Sequence, residues 1–306
     1  MFSRSSHVIT ATMMTTAPSD SYLFDRRLIA ARRGRAIRGD WARHGFLFDE
    51  VADRLAERLL DITQTYELAL DLGARSGALG RYLIGNGRVK QLVTADLSAD
   101  MLKASTASAV VSADEEFLPF KAESFDLVGS NLSLHWTNDL PGSLVQIRRS
   151  LKPDGLFIAS LFGIETLNEL KSCLVEAELE VRGGMSPRIS PFTDVRDAGS
   201  LLQRAGFALP VTDVDVITLK YQNAFALMQE LRGMGEANAL VERQKTMTGR
   251  TVLMRAAEIY HEKFAGEDGL IPATFQIIYL TGWAPHESQQ QPLRPGAGQT
   301  NLKDIL

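Results

Sequence analysis

The chain has 306 residues, 45% hydrophobic and 23% charged, which supports a sizeable core in one large domain or two small ones and excludes a disordered or fibrous chain. The single cysteine, Cys173, excludes an internal disulfide or a thiolate metal cluster, and no run reaches the roughly 18 apolar residues of a membrane span, so a soluble chain in a reducing compartment is expected. Net charge of −4 speaks against general nucleic-acid binding, yet residues 1–48 hold eight Arg and three Asp, a surplus of +5 that leaves −9 for the rest.

Residues 1–19 are rich in Ser, Thr and Ala, with one Arg and no acid. They read as a disordered start or a targeting segment, the plainer alternative being a start at Met13 or Met14. Residues 20–47 read as a basic helical arm, in which Phe24-Asp25-Arg26-Arg27-Leu28 leads into Arg32, Arg33, Arg35 and Arg38. The arm is either a solvated basic face packed through Leu28, Ile29 and Ile37, or a lid or docking surface for an acidic partner. Phe48, Val51, Leu55, Leu59 and Leu60 then recur at helical spacing.

Beyond them, strand-length apolar runs at Ala69–Leu72, Gln91–Ala95, Ser124–Ser130 and Leu156–Leu161 each precede a helical pattern. That alternation predicts an α/β fold with a doubly wound, mostly parallel sheet. Pro153-Asp154-Gly155 reads as the turn joining a helix that ends near Leu151 to the next strand. After Phe162 come helical patterns at 166–181 and 195–205, separated by a Gly/Pro/Ser-rich link, and the last two strands at Thr212–Leu219 and Phe275–Tyr279. One domain over 48–286 is expected, enlarged by insertions 164–205 and 222–270, with a loose tail at 287–306.

The strongest local pattern runs from Leu68 to Gly80: an apolar strand ending in Asp71, a turn carrying Gly73 and Gly77, then a helix. Glycines let a ligand approach the backbone, and the helix start offers free amide groups. Nineteen residues past Gly77 the next strand ends at Asp96, placed to accept from both hydroxyls of a ribose. The third strand region supplies Asp114 for an exocyclic amine, and Leu97 offers an apolar face to a ring. A nicotinamide site would want a second Gly where Arg75 stands, whereas an acid two residues before the first Gly suits a ligand with a cationic amino-acid end. His135 follows the strand ending at Ser130 and is the catalytic candidate, able to serve as acid, base or ligand, or merely to pack. The other histidines, His7, His44, His261 and His286, are scattered singly, so no metal site is read from spacing. Arg188, Ser190, Phe192, Met234, Glu236 and Asn238 are candidates to line a peptide-sized cleft, although Met228 and Met234 suit a core equally and Glu236 could serve as a helix cap.

Asp71-x-Gly73-x-x-x-Gly77, Asp96, Ala113-Asp114, Phe125-Asp126-Leu127-Val128 and Leu151-Lys152-Pro153-Asp154-Gly155 resemble the successive motifs of class I S-adenosylmethionine-dependent methyltransferases. The resemblance implies a seven-stranded Rossmann-like sheet, with S-adenosyl-L-methionine held by Asp71, Gly73, Gly77, Asp96, Leu97, Asp114, Glu115 and Asn131. Further stretches, among them Ala113–Phe120, Leu132–Pro141, Ile189–Phe192, Gly233–Asn238, Pro272–Gln276 and the Phe24-Asp25-Arg26 start, resemble the respiratory complex I assembly factors of the methyltransferase fold, of the arginine hydroxylase type. This wider resemblance implies hydroxylation of an arginine in the complex I subunit that carries the iron-sulfur cluster nearest quinone, with no nucleic acid and with membrane association only through that partner. Arg75 departs from the pattern, which has Gly there; a cationic side chain at that point would crowd the ligand carboxylate or pair with it. Two other readings stand beside it: an ordinary methyltransferase acting on a small acid or a carrier-bound acyl group, and a non-catalytic assembly chaperone. A bacterial cytoplasm fits the short start and the basic arm, and a mitochondrial matrix fits residues 1–19.

Overall fold

Short runs of Leu, Val and Ala, each closed by a turn and followed by a helix, lay down a sheet whose central strands are buried on both faces. The computed structural model describes residues 8–10, 22–60, 62–105 and 107–290. In chain order these are β1 (Val8–Thr10), α1 (Arg26–Arg38), α2 (Trp41–His44), α3 (Phe46–Glu57), β2 (Tyr66–Leu72), α4 (Ala78–Gly85), β3 (Val89–Asp96), α5 (Ala99–Leu102), β4 (Ala109–Ser112) and β5 (Phe125–Asn131). A 3-10 turn at Leu134–Trp136 leads to α6 (Leu140–Ser150), β6 (Leu151–Phe162), α7 (Asn168–Arg182), α8 (Val195–Arg204), β7 (Ala208–Tyr221), α9 (Ala224–Met234), α10 (Arg250–Phe264) and β8 (Ile271–Trp283).

The sheet order is β1-β4-β3-β2-β5-β6-β8-β7. Strands from β1 to β6 pair in parallel, and β8 is antiparallel to both β6 and β7. Seven strands make the expected methyltransferase-type sheet. The eighth, Val8–Thr10, extends its edge beside Ala109–Ser112 from within the segment read as a disordered start. The remaining residues of 1–19, and 291–306 of the tail, lie outside the described residues.

Leu70 sits at the centre, opposite Val93 of β3 on one side and Val128 of β5 on the other. From β2 the chain steps outward through β3 and β4, then returns to β5, so the order reverses beside β2 and a crevice opens at the carboxyl ends there. One face of the sheet packs α3, α4, α7, α9 and α10 through residues such as Leu55, Leu83, Cys173, Leu227 and Ile259. The other packs α6 and α8 through Leu144, Ile147 and Leu202.

Three local differences from the sequence reading have simple causes. Pro153-Asp154-Gly155 is not a helix-to-strand link: β6 begins at Leu151, directly after α6, and the three residues bulge within it, with Asp154 at φ 62° and the register shifting between Phe125 and Leu127. Strand β4 is short and was visible only as the region before Ala113. Helix α8, within the expected insertion 164–205, packs on α6 and β7 as an ordinary crossover helix of the sheet.

Candidate functional site

The ends of three strands, β2, β3 and β4, deliver most of the candidate cofactor residues to one place. Strand β2 brings Asp71 and feeds the turn in which Gly73 (φ 65°) and Gly77 (φ 77°) both take left-handed backbone. At Gly73 the need for glycine is also steric, because a Cβ would overlap Ser133 Oγ and press on Glu115 Oε1. Asp71 is fully buried; its Oδ2 accepts from Gly80 N at 3.0 Å, and its Oδ1 has no partner among the described residues. Burial pushes the Asp71 carboxyl up to about 7.

Asp96 ends β3 fully buried, accepting from Arg75 N at 2.9 Å and, through Oδ1, from Ser98 N at 2.7 Å. Asp114 and Glu115 follow β4, and Glu115 is buried with Ser133 Oγ donating to it at 2.6 Å. Asp71, Gly73, Gly77, Asp96, Asp114 and Glu115 therefore gather around the crevice. Leu97 turns instead into a small apolar cluster with Phe24, Ile29, Trp136 and Leu240. Asn131 is committed elsewhere: its Nδ2 donates to Phe48 O at 2.8 Å and its Oδ1 accepts from Ser160 Oγ at 2.8 Å.

The largest surprise is what fills the crevice. Helix α1 starts on the Asp25 cap, whose carboxylate accepts from Leu28 N at 3.0 Å, and lies across the carboxyl ends of the strands. Arg33 is 0% exposed. Its Nη1 donates to Asp96 Oδ2 and Glu115 Oε1, both at 3.1 Å, and its Nη2 donates to Ser133 Oγ at 2.8 Å. Arg26 reaches Asp114 Oδ1 at 2.6 Å and also pairs with Glu115. Burial opposes these charges, but the two guanidinium groups hold Glu115 below the usual carboxylate range, and the carboxylates raise Arg33 and Arg26. The arm is tied down further by Phe24, which packs edge-on against Trp136 at 5.2 Å, and by Asp25 N donating to Ala239 O at 2.8 Å. The solvated-face reading of the arm thus fails for Arg26 and Arg33. Helical spacing could not show it; the signal was the charge surplus of the arm beside a carboxylate-rich remainder.

Arg75 occupies a left-handed position (φ 52°), a strained choice for a side-chain-bearing residue. Its guanidinium lies 4.3 Å from the Phe48 ring centre and pairs with Glu236, leaving Nε and Nη1 buried without partners among the described residues. Glu236 follows the α9 cap and is no cap itself: its Oε2 accepts from Trp136 Nε1 at 2.9 Å and lies 3.4 Å from His135 Nε2. Burial would raise the Glu236 carboxyl, yet Arg75 and His135 hold it at about 2. Burial lowers His135, which is therefore neutral near pH 7. The Glu236 carboxylate fixes the proton on Nε2, so the buried Nδ1, without a partner among the described residues, is a bare acceptor.

Glu236 also lines a cavity of about 470 Å³ walled by Trp136, Phe162, Phe192 and Phe275, with Arg188, Ser190 and Asn238 at its polar margin. Met228 is part of this wall, whereas Met234 is buried core. Arg188 is itself engaged by Glu178, its Nε donating at 3.1 Å. His135 does not line the cavity and reaches it through Glu236.

A sheet of this order, with an acid-and-glycine turn after β2 and a carboxylate at the end of β3, defines the class I methyltransferase fold. Residues 70–159 match the family model "Methyltransferase domain". Among solved structures, a Bacillus halodurans protein assigned as a methyltransferase superposes with a TM-score of 0.53 at 18% identity, covering 76% of this chain and 99% of its own. Among curated proteins, the human mitochondrial arginine-hydroxylase NDUFAF5 is 44% identical over 296 residues, covering 95% of this chain and 85% of the human protein. A malonyl-[acyl-carrier protein] O-methyltransferase of Methylovorus sp. is 34% identical, covering 87% of this chain and 92% of that one. The chain belongs to the family of the NDUFAF5 arginine-hydroxylases.

Proposed function

We propose that this chain hydroxylates an arginine side chain of a protein substrate, with S-adenosylmethionine bound in the crevice beside the reaction site. The observation that carries the reading is the Glu236 carboxylate, buried, ionised and set in the wall of an aromatic-lined cavity. A carboxylate among aromatic faces is a receptor for a guanidinium. Its two oxygens offer about four acceptor sites, so Arg75, Trp136 and His135 leave room for a further donor.

The crevice residues fit S-adenosylmethionine. Asp71 Oδ1 suits the ligand's ammonium, the Arg75 nitrogens without partners among the described residues its carboxylate, and Asp96, once Arg33 and the arm give way, its ribose hydroxyls. When bound, S-adenosylmethionine supplies an electrophilic methyl on a sulfonium. For hydroxylation the change is a two-electron oxidation: dioxygen and a two-electron reductant convert C–H to C–OH, and the second oxygen leaves as water. On this reading Glu236 orients the guanidinium, the Phe162 and Phe192 walls exclude water, and His135 positions Glu236 and can accept a proton at Nδ1.

The substrate we infer is the complex I subunit carrying the iron-sulfur cluster nearest quinone, met in a bacterial cytoplasm, or on the matrix side as the mitochondrial relatives would be. Mass spectrometry of that subunit, from cells with and without the gene, tests this: gain of one oxygen on an arginine supports it, and an unmodified arginine in both overturns it. The similarity to a malonyl carrier-protein methyltransferase favours a second reading, methyl transfer. S-adenosylhomocysteine released with a methylated acceptor would establish that one. Restored complex I assembly by Asp96→Ala, unable to hold the ligand, would instead indicate a chaperone.

Asp71 sets a pH dependence. With its carboxyl near 7 in the free protein, protonation below that value removes the charge that receives the ammonium. Calorimetric affinity for S-adenosylmethionine is expected to rise severalfold from pH 6 to pH 8, as one ionisation crossing that window requires, and to be flat over it in Asp71→Asn.

A further inference from the structure

The outer face of helix α1 makes a second concavity that the activity above does not use. A cavity of about 640 Å³ lies between α1 and α9, lined by Arg32, Arg35, Arg232, His44 and Asp40. Arg32 is half-buried and donates to Ala237 O at 2.6 Å. Among the described residues, none of Arg32, Arg35 and Arg232 is in salt-bridge contact with a carboxylate, while His44 is occupied by Glu230 at 2.9 Å. Burial and the neighbouring charges of Arg243 and Arg35 push Arg32 down to about 10. Three arginines against the single acid Asp40 give the cavity a positive surplus that favours a negatively charged occupant. Arg232 and Ala237 line this cavity and also the aromatic one that ends at Glu236, so the two adjoin.

We propose that this cavity is the docking site for an acidic segment of the protein substrate, which anchors the chain while its arginine enters the aromatic cavity. The inference rests on the protein-arginine reading above. Charge complementarity selects the occupant: a guanidinium wants Glu236, and aspartates or glutamates a few residues away in the same substrate want Arg32, Arg35 and Arg232. Arg26 and Arg33 use the inner side of the arm and leave Arg32 and Arg35 on the outer, facing this cavity.

The test uses the full chain and two fluorescein-labelled peptides, each with one central arginine, one flanked by aspartates and the other by asparagines at the same places. Anisotropy should show the aspartate peptide binding about tenfold tighter, a difference of the size that charged rim contacts produce. The double charge reversal Arg35→Glu/Arg232→Glu should erase that difference, and a lysine-flanked peptide should regain it on the reversed protein. Both arginines are at the surface, so the variant keeps its core, which circular dichroism checks. Equal binding of the two peptides overturns the proposal, as does unchanged preference in the reversed protein. Binding of phosphatidylserine vesicles in place of either peptide overturns it too and makes the cavity a membrane contact. With dioxygen and a two-electron reductant supplied, preferential binding with no oxygen gained on any arginine would sink the hydroxylase reading and leave docking standing; oxygen gained equally on both peptides, bound equally, would do the reverse.

Discussion

Glu236→Gln is expected to lower kcat/KM for the arginine-bearing substrate about a hundredfold, chiefly through KM, because a buried hydrogen-bonded charge pair is worth ~2–5 kcal/mol to binding. The amide keeps the shape of the carboxylate and the contact to Trp136 Nε1, so what disappears is charge. The same change leaves the Arg75 guanidinium buried and unpaired, which threatens folding. Arg75→Gly/Glu236→Gln removes that complication and relieves the left-handed strain at position 75. If the double variant folds and loses activity well beyond what Arg75→Gly alone loses, at saturating S-adenosylmethionine, Glu236 receives the substrate. Full activity in Glu236→Gln would refute the assignment.

Arg33→Met should tighten S-adenosylmethionine binding about thirtyfold, since hydrogen bonds between charged groups contribute ~1.5–3 kcal/mol and the guanidinium holds two carboxylates the ligand needs. With the arm docked, Asp96 and Glu115 are buried, and losing their cation would cost ~3–5 kcal/mol. The variant escapes that cost by releasing α1, so hydrogen exchange at the α1 amides should quicken along with the gain in calorimetric affinity. Arg38→Met is the control, since Arg38 pairs at the surface with Asp100, away from the crevice carboxylates. Weaker binding with α1 still protected would mean that Arg33 is part of the binding site and not its competitor.

The sheet and its crevice were legible because each strand carries a short apolar run, such as Leu68–Leu70 and Leu92–Val93, and the turn at Gly73 and Gly77 has a chemical reason to be there. Asp71, Asp96 and Asp114 were placed by counting from strand ends, which works because a strand carries its terminal residue to a known edge. Asn131 and Leu97 show the limit of that counting: their positions follow the strands, but their side chains point to Phe48 and to the Trp136 cluster. Long-range pairs were not legible. Nothing in local spacing joins Arg33 to Asp96, or Arg75 to Glu236, across 63 and 161 residues. Arg75 could be seen as a departure from glycine, but not that its side chain would turn to the insertion. Glu236 was one of several candidates in a polar, Gly-rich stretch, and only the fold singled it out.

The two faces of helix α1 should part company in salt. Its inner arginine, Arg33, is sealed from solvent with Asp96 and Glu115, where mobile ions do not penetrate, so ionic strength leaves the arm in place. Its outer arginine, Arg35, is exposed to water, where the screening length falls from ~30 Å at 0.01 M to ~8 Å at 0.15 M. One helix would then act as a fixed cover on one side and a tunable collector on the other. The speed of substrate capture would follow the ionic strength of the compartment while closure of the crevice would not.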